Sequence, residues 1–167
     1  MKRIIIFGNS GSGKSTLSQR YASEFNLTHL DLDILAWKDT DPPSRQNLNL
    51  SSARIKLFMA QNENWVIEGG YTDLLNIAIE NTTEIIFLNL DVESCIQNCR
   101  NRPWESHKYD SIEKQNANLS MLIDWVKQYP ERTDVFSHHS HTYLYNTYSG
   151  KKNQYYSNIC SEVKILF

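Results

Sequence analysis

Short apolar runs that end in glycine or a carboxylate alternate along this chain with segments whose apolar residues recur at helical spacing. "KRIIIFG" (2–8) reads as a buried parallel strand, because it is apolar on both faces and stops at a glycine. "KSTLSQRYASEF" (14–25) carries Leu17, Tyr21, Ala22 and Phe25 on one helical face. "THLDLDIL" (28–35) predicts a second strand ending in carboxylates, "NWVIEGGY" (64–71) a third with a glycine exit, and "TEIIFLNLD" (83–91) a fourth. Between them, "DTDPPSRQ" is a turn-rich break, and helices are expected over "LSSARIKLFMAQN", "TDLLNIAIEN" and "VESCIQNCRNR". "DSIEKQNANLSMLIDWVKQYP" reads as one long helix stopped by Pro130, a further helix covers about 134–148, and "SEVKILF" (161–167) closes the pattern as a fifth strand.

Strands alternating with helices imply a parallel sheet with right-handed crossovers and helices on both faces. No internal repeat or linker divides the 167 residues, so one domain over 1–167 is expected. Within it, 101–111, "NRPWESHKYDS", is the most polar and least periodic stretch, as expected of a lid or binding loop.

Between the first strand and first helix stands "GNSGSGKST", in which Gly8 to Ser15 satisfies G-x-x-x-x-G-K-[ST]. Glycines let such a loop wrap phosphate oxygens while successive backbone N–H groups point inward. Gly8, Asn9, Ser10, Gly11, Ser12 and Gly13 would form the cradle, Lys14 would reach the β- and γ-phosphates, and the Ser15 hydroxyl would ligate Mg²⁺. Thr16 would add an α-phosphate contact. The motif in this context marks an ATP-type nucleotide site.

Carboxylates at strand ends supply the second half of a reaction. Asp31 and Asp33, two apart on a strand, would share a face at the crevice end of the sheet. Asp33, nearer the end, is the candidate to orient an acceptor hydroxyl and take its proton. Glu68 ends the third strand beside two glycines that would leave room for a ligand, and can hold Mg²⁺ through water or help activate the acceptor. Asp91 reads as a helix cap for "VESC". Arg100 and Arg102 lead into the polar loop, where an arginine can stabilise charge on a transferring phosphoryl group. Lys38, Arg45, His107 and Lys108 are weaker candidates, and Trp37 and Trp104 suit an acceptor pocket or ordinary packing equally well.

Composition narrows the class. A net charge of −2, with 40% hydrophobic and 22% charged residues, is that of an ordinary globular protein and argues against direct binding to duplex DNA. No apolar run reaches the roughly 20 residues of a membrane span, and the run in "MKRIIIFGNS" is too short for a signal peptide. A cytoplasmic enzyme or switch is the expectation. Cys95 and Cys99, at i and i+4, read as small core residues. His138, His139 and His141 lack a cysteine pair that would complete a zinc set. No "NKxD" or "DxxG" segment supports a switch GTPase.

The strand–P-loop–helix, "LDLDILAW", "WVIEGGY" and "RNRPWE" blocks resemble the small adenylate-kinase-like and shikimate-kinase-like P-loop proteins. Among these they look closest to the bacterial topology modulation (FlaR-related) group. The resemblance covers nearly the whole chain. It implies a three-layer α/β/α P-loop fold with a five-stranded parallel sheet in 2-3-1-4-5 order, an acceptor-binding segment over about 34–64 and a lid over about 101–111. It also implies ATP and Mg²⁺ on Gly8, Gly13, Lys14, Ser15 and Thr16, with Asp33 and Glu68 matching the acidic residues of strands two and three. "EGGYT" lacks the arginine of the "DGFPR"-like segment of nucleoside monophosphate kinases, which counts against a nucleotide acceptor. The reading is therefore a kinase that moves the γ-phosphate of Mg·ATP to a small-molecule or nucleotide acceptor. Its rivals are a nucleotide-dependent regulatory ATPase and a polynucleotide kinase; oligomeric state is left open.

Overall fold

The computed structural model describes residues 1–40, 42–106 and 109–159. The first strand, β1 (Arg3–Gly8), lies at the centre of a five-stranded sheet ordered β2-β3-β1-β4-β5. Its partners are β3 (Trp65–Gly69) on one side and β4 (Glu84–Leu88) on the other, with β2 (Thr28–Asp31) and β5 (Lys151–Tyr155) at the edges. All four pairings are parallel. The sheet order and its helical layers are those expected from the sequence.

Alternation along the strands loads both faces. Ile5, Phe7, Trp65, Ile67, Ile85 and Phe87 form one core. It packs on helices α2 (Asp33–Ala36), α3 (Leu48–Gln61), α4 (Thr72–Ala78) and α8 (His138–Thr147). Ile4, Ile6, Val66, Ile86 and Leu88 face the other way, against α1 (Lys14–Phe25), α5 (Val92–Arg100) and α7 (Leu119–Lys127). Phe7 and Phe87, register neighbours on β1 and β4, stack with centroids 4.9 Å apart. The two layers fix the strand ends against one another, which matters because the P-loop and Glu68 stand at the ends of β1 and β3.

Three elements depart from the sequence pattern. The second strand stops at Asp31, whose carboxylate accepts the backbone N–H of Asp33 at 2.8 Å and turns the chain into the short helix α2. Asp31 and Asp33 therefore do not share a strand face. The expected long helix is two: α6 (Ile112–Ala117) and α7 part at Asn118, whose side chain hydrogen-bonds back to the Lys114 carbonyl and competes with the helical ladder. The fifth strand found here is "KKNQY", which no apolar run announces. It is an edge strand made of polar groups: Lys151 pairs with Glu84 at 3.3 Å, and Asn153 donates to the same carboxylate at 2.7 Å. "SEVKILF" lies outside the described residues, as do His107 and Lys108. Among the described residues, no helix is long and apolar enough to cross a membrane.

Truncating the central stack tests the account of the core. Phe87→Ala, fully buried in the wild type, should lower unfolding stability by about 3–5 kcal/mol in urea titration. A loss under about 1 kcal/mol would mean that the two layers do not depend on it.

Candidate active site

The loop after β1 has the geometry its glycines predict. Gly11 and Gly13 sit at φ +77° and +88°, in the left-handed region. A Cβ on Gly11 would also collide with the Cys95 carbonyl and the Cys99 thiol, whereas nothing surrounds Gly13. Asn9 ties the loop down: its Oδ1 accepts the Ser10 N–H at 2.8 Å and its Nδ2 donates to the Val126 carbonyl of α7 at 3.2 Å. Asn98 of α5 donates to the Gly11 carbonyl at 2.8 Å. Lys14 folds back over the loop, its ammonium donating to the Asn9 carbonyl at 2.8 Å.

Several features of this loop fit a phosphate group. Gly13 caps α1 without any side chain, so no side chain competes for the first amides of a 12-residue helix. The Ser12 hydroxyl is buried with no hydrogen-bond partner. Lys14 supplies a positive charge at the same place. Beneath the loop, burial pushes the Cys95 thiol up to about 12 and raises Cys99, the latter opposed by the nearby Arg102 and Lys14 charges. Both cysteines are neutral packing residues that support Gly11.

The ends of β2 and β3 stand beside the loop. Register pairs Glu68 with Asp31 on one side and Ile6 on the other, and Gly69 with Phe7. Glu68 is only 1% exposed. One of its oxygens stands 3.6 Å from His29 Nε2, and both atoms lack a hydrogen bond. The glycines after Glu68 do not leave the expected open room. Gly69 is pressed by the Leu32 and Tyr71 side chains, and a Cβ on Gly70 would stand 3.4 Å from the Gly8 carbonyl. Gly69 serves close packing at the β3 exit, and Gly70 lies in ordinary contact with the first carbonyl of the P-loop.

Asp33 is exposed at the start of α2, and Tyr71 donates its hydroxyl to the Asp33 carboxylate at 2.6 Å. Trp37 in turn donates its indole N–H to the Tyr71 oxygen at 2.7 Å. Burial, reinforced by the Asp33 charge, raises the Tyr71 hydroxyl far above its ordinary value, so it remains a proton donor to the carboxylate. The rings of Trp37, Tyr71 and Phe136 surround the Arg45 guanidinium at 5.8, 5.1 and 5.2 Å, while Asp73 holds it at 2.9 Å. Arg132 stacks 3.4 Å over Trp125 and is fixed by Asp134.

Arg45 is thus enclosed, whereas Lys38 is exposed. No sequence pattern singles out Tyr71, Trp125, Arg132 or Phe136. "YT" after "EGG" was the available clue for Tyr71.

Of the two arginines expected to serve a lid, Arg100 is exposed at the last turn of α5. Arg102 lies just beyond the helix and pairs with Glu105 at 3.0 Å. Gln115 of α6 anchors this stretch, accepting the Glu105 N–H at 2.8 Å and donating to the Pro103 carbonyl at 3.1 Å. Trp104 is 48% exposed and donates to the Tyr109 carbonyl. Asp91 caps α5, accepting the Ser94 N–H at 2.8 Å. Among the described residues, no group of three or more His, Cys, Asp or Glu is arranged to hold a metal ion.

With sheet order and loop in place, the chain has the α/β fold of the small P-loop kinases. It is similar in structure to the shikimate kinase of Bacteroides thetaiotaomicron, with a TM-score of 0.50 and 20% identity over 76% of each chain. A deoxyadenosine kinase from M. mycoides with bound dATP aligns over 96% of this chain and 93% of its own, with a TM-score of 0.49 and 14% identity. The shikimate kinase of Aquifex aeolicus aligns over 75% and 92%, with a TM-score of 0.43 and 21% identity. No protein-family model matches the chain, and no curated protein matches it significantly.

Two outcomes follow for the loop and its surroundings. Gly13→Ala should cost about 1–2 kcal/mol of strain, and Gly11→Ala distinctly more, because the Cys95 carbonyl belongs to α5 and cannot yield alone. Equal melting temperatures for the two variants would contradict this. Burial holds His141 down to about 3, from an ordinary 6.5, so the unfolded chain takes up a proton that the native one refuses. Stability should therefore be full above pH 6.5 and fall as pH drops towards 3, with a slope of at most about 1.4 kcal/mol per pH unit from this group. His141→Gln should flatten that slope in urea titrations between pH 6.5 and 5; an unchanged slope would exclude His141 as its source.

Proposed function

We propose that this protein is an ATP-dependent phosphotransferase with a small hydroxyl-bearing acceptor, and that Asp33 is the group that orients and deprotonates that hydroxyl. The observation that carries the reading is the placement of Asp33. It is an exposed carboxylate at the exit of β2, held from behind by Tyr71. Tyr71 directly follows Gly70, which neighbours the Gly8 carbonyl at the start of the phosphate-type loop.

Gly8, Asn9, Ser10, Gly11, Ser12, Gly13, Lys14, Ser15 and Thr16 would hold ATP, and the Ser15 hydroxyl would hold Mg²⁺. When bound, Mg·ATP supplies the γ-phosphoryl group and the divalent charge that offsets its negative oxygens. Lys14, seated across the loop mouth on the Asn9 carbonyl, would exchange that carbonyl for phosphate oxygens. Asp33 would hold the acceptor hydroxyl in line and take its proton. Tyr71, as a donor to Asp33, would fix the orientation of the carboxylate towards the acceptor. Glu68, buried with one oxygen that makes no hydrogen bond and stands 3.6 Å from His29, would hold water about the metal.

The acceptor segment (34–64) would present Trp37 and Arg45 to the acceptor. The lid (101–111) would bring Arg102, and Arg100 behind it, over the transferring group once the pairing with Glu105 opens. All of this belongs to one domain, 1–167. A kinship with the topology modulation group rests on the sequence blocks alone.

Two substitutions test the assignment. Lys14→Ala should abolish Mg·ATP turnover while leaving the melting temperature within a few degrees of wild type. Turnover that survives it would remove the loop from the chemistry. Asp33→Asn should cost acceptor-dependent transfer about 100-fold or more, the scale of a lost general base, and leave Mg·ATP affinity nearly unchanged. Equal losses in both would take Asp33 out of the acceptor site.

A further inference from the structure

His141 is completely buried on α8, far along the chain from every residue discussed for catalysis, yet it touches the exits of two central strands. Its ring stands edge-on to Phe7 of β1 and Phe87 of β4, with centroids 5.6 and 5.9 Å away. Its Nε2 lies 2.9 Å from the Gly70 carbonyl and its Nδ1 lies 2.7 Å from the Tyr129 hydroxyl.

These partners dictate the tautomer. A backbone carbonyl only accepts, so Nε2 carries the hydrogen and donates to Gly70; Nδ1 then accepts from Tyr129. The neutral ring is saturated in both directions, and burial keeps it neutral. Buried hydrogen bonds of this kind are costly to break, because each partner left behind has no water to turn to.

Gly70 is the last residue before Tyr71, and it rests against the Gly8 carbonyl. Tyr129 follows α7, whose Val126 carbonyl holds Asn9 of the loop. His141 therefore joins the segment after α7 to the exit of β3, at the point from which Tyr71 reaches Asp33.

Resting on the reading of Asp33 as the acceptor group, we propose that His141 is a positioning residue: it tethers the Gly70 carbonyl so that the Tyr71 hydroxyl stays on the Asp33 carboxylate. A histidine that merely filled the core would need neither hydrogen bond, and an apolar ring would pack as well between Phe7 and Phe87. The tether acts through backbone. Loss of the Nε2 donor frees the two glycines of the β3 exit, the most pliable residues of that turn, and Tyr71 moves with them.

The Trp37 indole N–H, which donates to the Tyr71 oxygen, reports this geometry without any acceptor. In the full chain with ¹⁵N-labelled tryptophan, His141→Phe should move the Trp37 indole resonance towards that of a solvent-exposed indole. Affinity for Mg·ATP, measured by calorimetry, should stay within about twofold. His141→Gln, whose amide can donate to Gly70 and accept from Tyr129, should restore the wild-type resonance. Tyr129→Phe, which removes only the donor to Nδ1, should shift it by a smaller amount and decides the matter if His141→Phe does not fold.

An unmoved Trp37 resonance in the folded variants, even with a lowered melting temperature, would overturn the proposal, as would parallel loss of Mg·ATP binding. A moved resonance in a chain that phosphorylates no acceptor would instead retire the acceptor reading of Asp33 and leave the tether standing.

Discussion

The close approach of backbones where β1 ends is the constraint on which this structure turns. Gly8 leaves the central strand so near β4 that any side chain would run into the Leu88 carbonyl, and Gly70 closes on it from β3. Three adjacent strands thus release their chains at one level. The apolar cores on both faces hold the strands in that register, because a slip would break the Phe7–Phe87 stack and the burial of β1 together. Packing sets the positions, and the polar groups then act from fixed points. That is how a site dominated by positioning and charge works at low cost in reorganisation.

Around that level, polar side chains are arranged in pairs that hold one another. Asn9 is shared between its own loop and α7, Asp33 between the Asp31 turn and Tyr71, and Arg45 between Asp73 and three rings. Among the groups that break the pattern are the Ser12 hydroxyl and the facing atoms of Glu68 and His29, 3.6 Å apart, all buried without a hydrogen bond. Native proteins leave few such atoms, and those they leave cluster where a ligand completes the bonding.

Much of this was legible in the chain itself. The P-loop was readable because its spacing serves a local backbone conformation, and the three central strands because burial on both faces demands nearly unbroken apolar runs. The fifth strand was hidden, since "KKNQY" satisfies an edge through Glu84 and Asn153 rather than through hydrophobicity. Asp31 and Asp33 were readable as strand-end carboxylates. Their separation by an aspartate turn was not, because the same residue type serves strand ends and turns alike. The Tyr71–Asp33 contact and the His141 bridge join residues 38 and 71 positions apart, where no local pattern records them. Local chemistry speaks in sequence; long-range hydrogen bonding speaks only in the fold.

The central claim is that the terminal phosphate is passed on rather than released. The most direct measurement follows the label of [γ-³²P]ATP and Mg²⁺ incubated with the protein and a panel of hydroxyl-bearing metabolites and nucleosides. The account predicts that one chemical class takes up the label in step with ADP formation, and that this product disappears with Asp33→Asn. Label recovered solely as inorganic phosphate, at a rate no member of the panel alters, would contradict it.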